Sequence, residues 1–178
     1  ELTLDHIRFL QDRIAQVDAW IAEEAQAHPG VASLASIPGI GQVFSSGIAA
    51  EIGDIHRFLA PPKWDKRRKR YRPRTLRDAE DAIAKIAGLW WPRNDSGDFE
   101  AEDRHMAKTG NRYLRYYVVE STDRMRQYIP EYRDYYNRKY QEALKHKHKR
   151  ALVLSARKSI GLFVGLLHRV ETYRPKET

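Results

Sequence analysis

An all-α fold is predicted for this 178-residue chain by three observations. Apolar residues recur at spacings of three and four through successive segments, capping signals bracket those segments, and no stretch alternates every two residues as a half-buried strand does. The expected architecture is a helical domain containing a helix-hairpin-helix, preceded by a long N-terminal helix of coiled-coil type. The boundary falls at about residue 30, leaving 31–178 as the main domain.

The first helix is expected over Leu2 to Ala27, where Ile7, Leu10, Ile14, Val17 and Ile21 alternate steps of three and four. That is a heptad seam just over two heptads long, so the helix either packs on its own domain or pairs with a second copy. His28-Pro29-Gly30 ends it. Leu34 to Gly41 then reads as a short helix and a Pro-Gly-x-Gly turn leading into a helix over Gln42 to Ile52. In a helix-hairpin-helix such glycines let backbone N–H groups at a helix start approach a phosphate, which makes Gly39 and Gly41 candidate DNA contacts. Ile37 and Ile40 suit the apolar hairpin positions, Val43, Gly47 and Ile48 suit close helix packing, and Gly53 suits a helix C-cap.

Between Lys63 and Arg74 eight of twelve residues are Lys or Arg against one acid, Asp65, so this segment alone carries +7 of the chain's formal +8. Trp64 and Tyr71 are interleaved, which adds base or sugar stacking to phosphate contact. Arg67, Arg68 and Arg70 are therefore candidate nucleic-acid ligands; the alternative is a solvated, mobile charged loop. Thr75 to Asp78 has capping-box form, and Leu76, Ala79, Ile83 and Ile86 carry a helix to Ala87, with Gly88 as its stop. Trp90 and Trp91 are read as an apolar anchor for the loop behind them.

That loop holds Asn94-Asp95-Ser96-Gly97, a turn that places a hydroxyl where it can be reached, and leads to Lys108-Thr109-Gly110-Asn111-Arg112-Tyr113-Leu114-Arg115. The acids between them, Asp98 to Asp103, read as an exposed loop rather than a metal site. A helix is expected from Asn111 to Tyr128 with Leu114, Val118, Ser121 and Met125 on one side, then another from Glu131 to Leu144 whose tyrosines pack at core and rim. Lys145 to Arg150 is a second cationic knot, in which His146 and His148, two apart, make a poor metal pair. The last helix, Ala151 to Val170, is apolar nearly all round and is expected to be the central core helix. Arg157 and Lys158 near its middle must reach an external anion or an ion-pair partner.

Composition limits the function. Apolar residues at 42% and charged residues at 31% describe a globular chain rather than a disordered one. Thirty-two Lys and Arg against 24 Asp and Glu favour a polyanionic partner, nucleic acid before an anionic membrane surface. No apolar run approaches the roughly 20 residues of a spanning helix, so no membrane partner is expected. The absence of Cys removes disulfides and thiolate metal sites, which suits a reducing compartment. The chain opens on Glu1 rather than Met and is read as a piece of a longer protein.

With these residues in place, the chain resembles the C-terminal domain of insertion-sequence transposases of the IS one-ten family (IS116/IS110/IS902 type), which carry a RuvC-like DEDD domain at the N-terminus. The likeness runs through Ser36-Ile37-Pro38-Gly39-Ile40-Gly41, Ala50-Glu51-Ile52-Gly53-Asp54-Ile55, Phe58, Ala87-Gly88-Leu89, Pro92, Ser96-Gly97 and Lys108 to Arg115. It closes with Arg150-Ala151, Ala156-Arg157-Lys158 and Tyr173-Arg174-Pro175, so it covers about residues 32 to 175 in order. It implies a cytoplasmic DNA recombinase of a bacterial or archaeal mobile element, with Ser96 as the nucleophile that forms a transient phosphoserine link to a DNA strand.

The resemblance also implies a guide RNA, homo-oligomers in the full-length protein, and a coiled coil in the place of Leu2 to Ala27. No cofactor is expected in this chain, and Mg²⁺ is expected in the RuvC-like domain outside it. For phosphate or DNA contact the candidates are Gly39, Gly41, Lys108, Asn111, Arg112, Arg115, Arg67, Arg68, Arg70, Arg157 and Lys158. His105 and Asp95 are the acid-base groups nearest Ser96 in sequence, and the acidic domain is the better source of a base. Two features depart from the family pattern: the length of the basic run, and Asn94-Asp95 before the serine. A non-catalytic helix-hairpin-helix module that binds nucleic acid and dimerises is the alternative reading.

Overall fold

The computed structural model describes residues 2–92, 95–96, 99–100, 106–107 and 109–175. Helices dominate, as the spacing predicts: α1 Leu2–Gln26, α2 Pro29–Ala35, α3 Gln42–Ile52, α4 Leu76–Ile86, α5 Arg112–Tyr128, α6 Pro130–Glu142 and α7 Lys147–Arg169. Two short antiparallel ribbons interrupt them, β1 Lys63–Asp65 with β2 Arg70–Arg72, and β3 Asp95–Ser96 with β4 Phe99–Glu100. The sequence gives no sign of either ribbon, because strands of two or three residues are too short to display an alternating period.

Helix α7 is the core element, packed against α2, α4, α5 and α6. Its Ala156, Ile160, Phe163 and Val164 are completely buried. It begins at Lys147, one turn earlier than Ala151, after His146 takes a left-handed conformation at φ 50°. By length and composition α7 could cross a membrane, contrary to the expectation that no run approaches that length. Here 61% of its apolar window is covered by protein, which is how the core helix of a water-soluble fold satisfies the same test. A hydroxyl pair, Thr122 Oγ1 to Ser159 Oγ at 2.7 Å, joins α5 to α7 inside this core.

The ends of the other helices follow local chemistry. Thr75 caps α4 in a full capping box with Asp78, Asn111 accepts from the N–H groups of Tyr113 and Leu114 at the start of α5, and Gly53 turns the chain after α3 at φ 63°. The expected stripe Leu114, Val118, Ser121 and Met125 is buried, and so are Tyr132 and Tyr136 on α6.

Helix α1 behaves differently. It rests on α2 and α3 only near its C-terminal end, where Ile21, Ala22 and Ala25 are half-buried. Leu10, Ile14 and Val17 remain 46%, 61% and 46% exposed, so most of the heptad seam is not packed on this domain.

Candidate nucleic-acid interface

The turn between α2 and α3, residues 36–41, is held by burial of Ile37 and Ile40. Gly39 sits at φ +90°, and a Cβ there would meet the backbone carbon of Arg124 at 3.0 Å and the Tyr128 ring at 2.8 Å. Its glycine is therefore required by packing against the end of α5 as well as by the turn. Gly41 is exposed, nothing lies within 4 Å of its Cβ position, and no side chain caps the first turn of α3. That first turn leaves N–H donors for an anion, with the exposed Arg124 on the helix end that touches the turn. Gly47 packs against the Tyr117 ring and Ile48 is buried, but Val43 is 53% exposed rather than packed as expected. At the far end of the chain, Tyr173 N–H donates to Ser36 Oγ at 2.7 Å, tying the tail to this turn.

The basic run is a built hairpin rather than a mobile loop. Lys63 pairs with Arg72, Trp64 with Tyr71 and Asp65 with Arg70. The Trp64 and Tyr71 rings meet edge to face with centroids 5.1 Å apart, and this cross-strand pair supplies the strand preference that the cations lack. Asp65 Oδ1 accepts from the N–H groups of Arg67 and Arg68 and so forms the turn. The Arg68 N–H is the main reason its carboxyl lies below the usual range.

The base of the hairpin is locked to α4 by Asp78, whose side chain is only 5% exposed. Asp78 accepts from Lys63 Nζ at 2.6 Å, from Arg72 Nη1 and Nη2 at 2.7 and 3.0 Å, and from Thr75 N and Oγ1 at 2.9 and 3.0 Å. The Arg72 hydrogen bonds do most to hold its carboxyl far below the ordinary carboxylate range, against the opposing effect of burial. Arg74 Nε donates to Pro61 O across the same base. Thus three of the eight cations build the hairpin, while Lys66, Arg67, Arg68, Lys69 and Arg70 lie exposed at its turn and second strand, with no salt bridge among the described residues. The sequence contains the capping box but no signal that its Asp also clamps residues 6 and 15 positions upstream.

The serine segment is suspended between α4 and α5, and its two ends are cross-tied. Ala107 N–H donates to Trp90 O at 2.9 Å, Asn111 N–H to Ile86 O at 2.6 Å, and Arg115 Nη1 to Ala87 O at 3.2 Å. Gly88 and Gly110, at φ +69° and +121°, lie where a Cβ would strike the opposing backbone. Within the segment Asp95 pairs with Glu100 and Ser96 with Phe99, so Ser96 ends a strand instead of occupying a free turn. Of the expected groups, Asn94, Gly97, Asp98, Asp103, His105 and Lys108 lie outside the described residues, as does the Ser96 side chain.

Asn111 and its neighbours have structural ties. Asn111 caps α5 and donates through Nδ2 to Glu51 Oε2 on α3 at 2.5 Å, joining the two motifs. Arg112 is exposed and lies over its neighbour Tyr113, with the guanidinium carbon 4.8 Å from the ring centre. Arg115 is half-buried against the α4 end.

Comparison with known families bears on this same α2–α3 unit. Residues 31–63 match the family model described as Transposase IS116/IS110/IS902 family. The match runs from within α2 through the turn, α3 and the 3-10 turn at Ile55–Phe58 to the first residue of β1, and it supports an IS110-type transposase, a family for which DNA is the partner. No curated protein matches the chain.

The remaining candidates are placed unevenly. Arg157 is bonded to Asp81 at 2.5 Å, and Lys158 to Glu131 at 2.8 Å while lying over the rings of Tyr132 and Tyr135. Both cations thus find the ion-pair partner that their place on α7 demanded, and that partner is internal. His148 Nδ1 is 2.8 Å from Tyr136 OH, which ties the second cationic knot to α6. Among the described residues, no group of three His, Asp or Glu side chains is arranged to hold a metal ion.

Proposed function

We propose that this chain is the C-terminal domain of an RNA-guided DNA transposase or recombinase in which Ser96 is the nucleophile. The observation that supports the reading is the cross-tied base of the α4–α5 segment, which draws together the two ends of the stretch containing Ser96 at the start of α5, where Arg112 and Arg115 lie. A serine hydroxyl needs a base to become nucleophilic, and the five-coordinate phosphate needs cationic or N–H donors around it. Ser96 Oγ gives up its proton to a base supplied from the RuvC-like domain and bonds to phosphorus. The bond from phosphorus to one sugar oxygen breaks, and that oxygen leaves as a hydroxyl. Attack by a hydroxyl of another strand reverses the sequence and rejoins DNA, so bond energy is conserved without a nucleotide cofactor.

Lys108, Arg112 and Arg115 act on the phosphate, the free N–H groups after Gly41 take a second backbone phosphate, and the hairpin turn carrying Arg67, Arg68 and Arg70 holds nucleic acid more generally. Gly39 serves through the turn it makes possible, and Asn111 through the cap that orients α5. Arg157 and Lys158 contribute where DNA competes for them with Asp81 and Glu131. Mg²⁺ belongs to the RuvC-like domain. The open seam on α1 pairs with a second copy of the chain.

The test uses the full-length protein with its guide RNA, Mg²⁺ and a labelled DNA site. A denaturant-resistant protein–DNA adduct in wild type that vanishes with Ser96→Ala is the expected result; an adduct that persists in the variant makes another residue the nucleophile. The pinned basic hairpin favours a second reading, a non-catalytic binding and dimerisation module. It predicts that Ser96→Ala changes neither binding nor strand joining.

A further inference from the structure

We propose that the β1–β2 hairpin is a binding site for an unpaired nucleotide of a single strand, with its base stacked on Trp64 and its phosphate held by Lys66 and Arg67. This rests on the reading of the hairpin as a nucleic-acid contact and specifies which form of nucleic acid it takes.

Four observations carry it. First, Trp64 is 48% exposed, and its one ring neighbour among the described residues, Tyr71, meets it in a T-shaped rather than a stacked contact, at an interplanar angle of 69°. An aromatic face left to water on an ordered ribbon is suited to stacking, which is available from any base and is not sequence-selective. Second, Trp64 lines a shallow, open depression of about 330 Å³ bordered by Lys63, Asp65, Lys66, Arg67 and Arg72, which brings cations beside the ring.

Third, the charges around that concavity are divided into two sets. Lys63 and Arg72 are both engaged by Asp78, and Asp65 by the Arg67 and Arg68 N–H groups, so these three form fixed walls. Lys66 and Arg67 keep their charges free for a phosphate at the rim. Fourth, the clamp at Asp78 holds the site before the ligand arrives, which removes the ordering cost that a mobile basic tail would incur on binding. A duplex cannot use the Trp64 face, because its base faces are occupied by stacking within the helix; it can engage only the cationic turn.

The experiment measures binding of the full-length protein, without guide RNA, to fluorescently labelled 12-nucleotide probes. The probes are single-stranded DNA, single-stranded RNA, the same DNA as a duplex, and a single strand of equal charge with abasic sites. Wild type should bind the base-bearing single strands at least about tenfold more tightly than the abasic strand, as the loss of one stacked base implies. Trp64→Ala should erase that ratio while leaving duplex affinity unchanged, and Trp64→Phe should restore most of it. Lys66→Ala with Arg67→Ala should weaken every probe and flatten the salt dependence. The RNA and DNA arms tell a guide strand from an opened target strand as the source.

Equal affinity of wild type for base-bearing and abasic strands overturns the stacking site while leaving general phosphate binding intact. That comparison needs no variant, so an unfolded Trp64→Ala hairpin does not obscure it. If no probe responds to loss of Lys66 and Arg67, the nucleic-acid reading of the hairpin fails as well.

Discussion

Asp78→Ala is the perturbation that tests how the basic hairpin is held. The side chain is 5% exposed and accepts five hydrogen bonds, three from Lys63 and Arg72 and two from Thr75. Its removal abolishes the capping box and the only acidic anchor of the hairpin base among the described residues, while the released cations can reach water. The net cost should be about 2–3 kcal/mol, which for a chain of this size lowers the melting temperature by about 4–12 °C. Thr75→Ala removes the cap but not the clamp and should cost about 1 kcal/mol.

Thermal unfolding measures both, and hydrogen exchange of the 63–72 amides separates them. Only Asp78→Ala should strip the hairpin of protection. Because the folded carboxyl titrates far below its ordinary value, its stabilisation is complete above the unfolded-state pKa of about 4 and fades as pH falls below it. The gap between wild type and Asp78→Ala should therefore be constant from about pH 5 to 8 and narrow below about pH 4. If Asp78→Ala is no worse than Thr75→Ala and leaves hairpin protection unchanged, the clamp does not hold the hairpin.

Other perturbations report on other joints. Gly39→Ala forces a Cβ into Arg124 and Tyr128 at φ +90° and should destabilise by about 1–3 kcal/mol in denaturant titration. Asn111→Ala removes the Oδ1 that accepts two N–H groups at the start of α5 and the Nδ2 donor to Glu51, so about 1–2 kcal/mol of stability should go; Glu51→Gln alone should cost less, because its amide oxygen still accepts from Asn111. Leu10→Glu with Ile14→Glu places like charges on the open seam of α1 and should convert a dimer to a monomer in sedimentation, with the melting temperature of the main domain unchanged. Arg157→Gln breaks a partly exposed pair with Asp81 and should change stability by less than about 1 kcal/mol, so any larger loss of DNA affinity would be a direct contact.

Much of the fold was legible from local chemistry. Thr75 and Asp78 announce the start of α4, Gly53 the end of α3, Leu114 to Met125 the buried stripe of α5, and the apolar circumference of α7 its central place. These are readable because caps and amphipathic stripes are set by residues within a few positions of one another. The ribbons were not readable. Their strands are shorter than any period, and the 63–72 hairpin owes its order to a carboxylate lying beyond it in the sequence.

The candidate site divides along the same line. The sequence by itself determined which residue types are present: a glycine turn before α3, eight cations in twelve residues, a serine in a turn-rich segment, a helix start rich in arginine. Tertiary structure decided what each is free to do. It engaged Lys63 and Arg72 with Asp78, Arg157 with Asp81 and Lys158 with Glu131, left Lys66 to Arg70 and the Trp64 face exposed, and set Gly39 against α5. The physical reason is that charge and aromaticity belong to a residue, whereas neutralisation and coverage belong to pairs, and the members of those pairs come from segments as far apart as 76 residues.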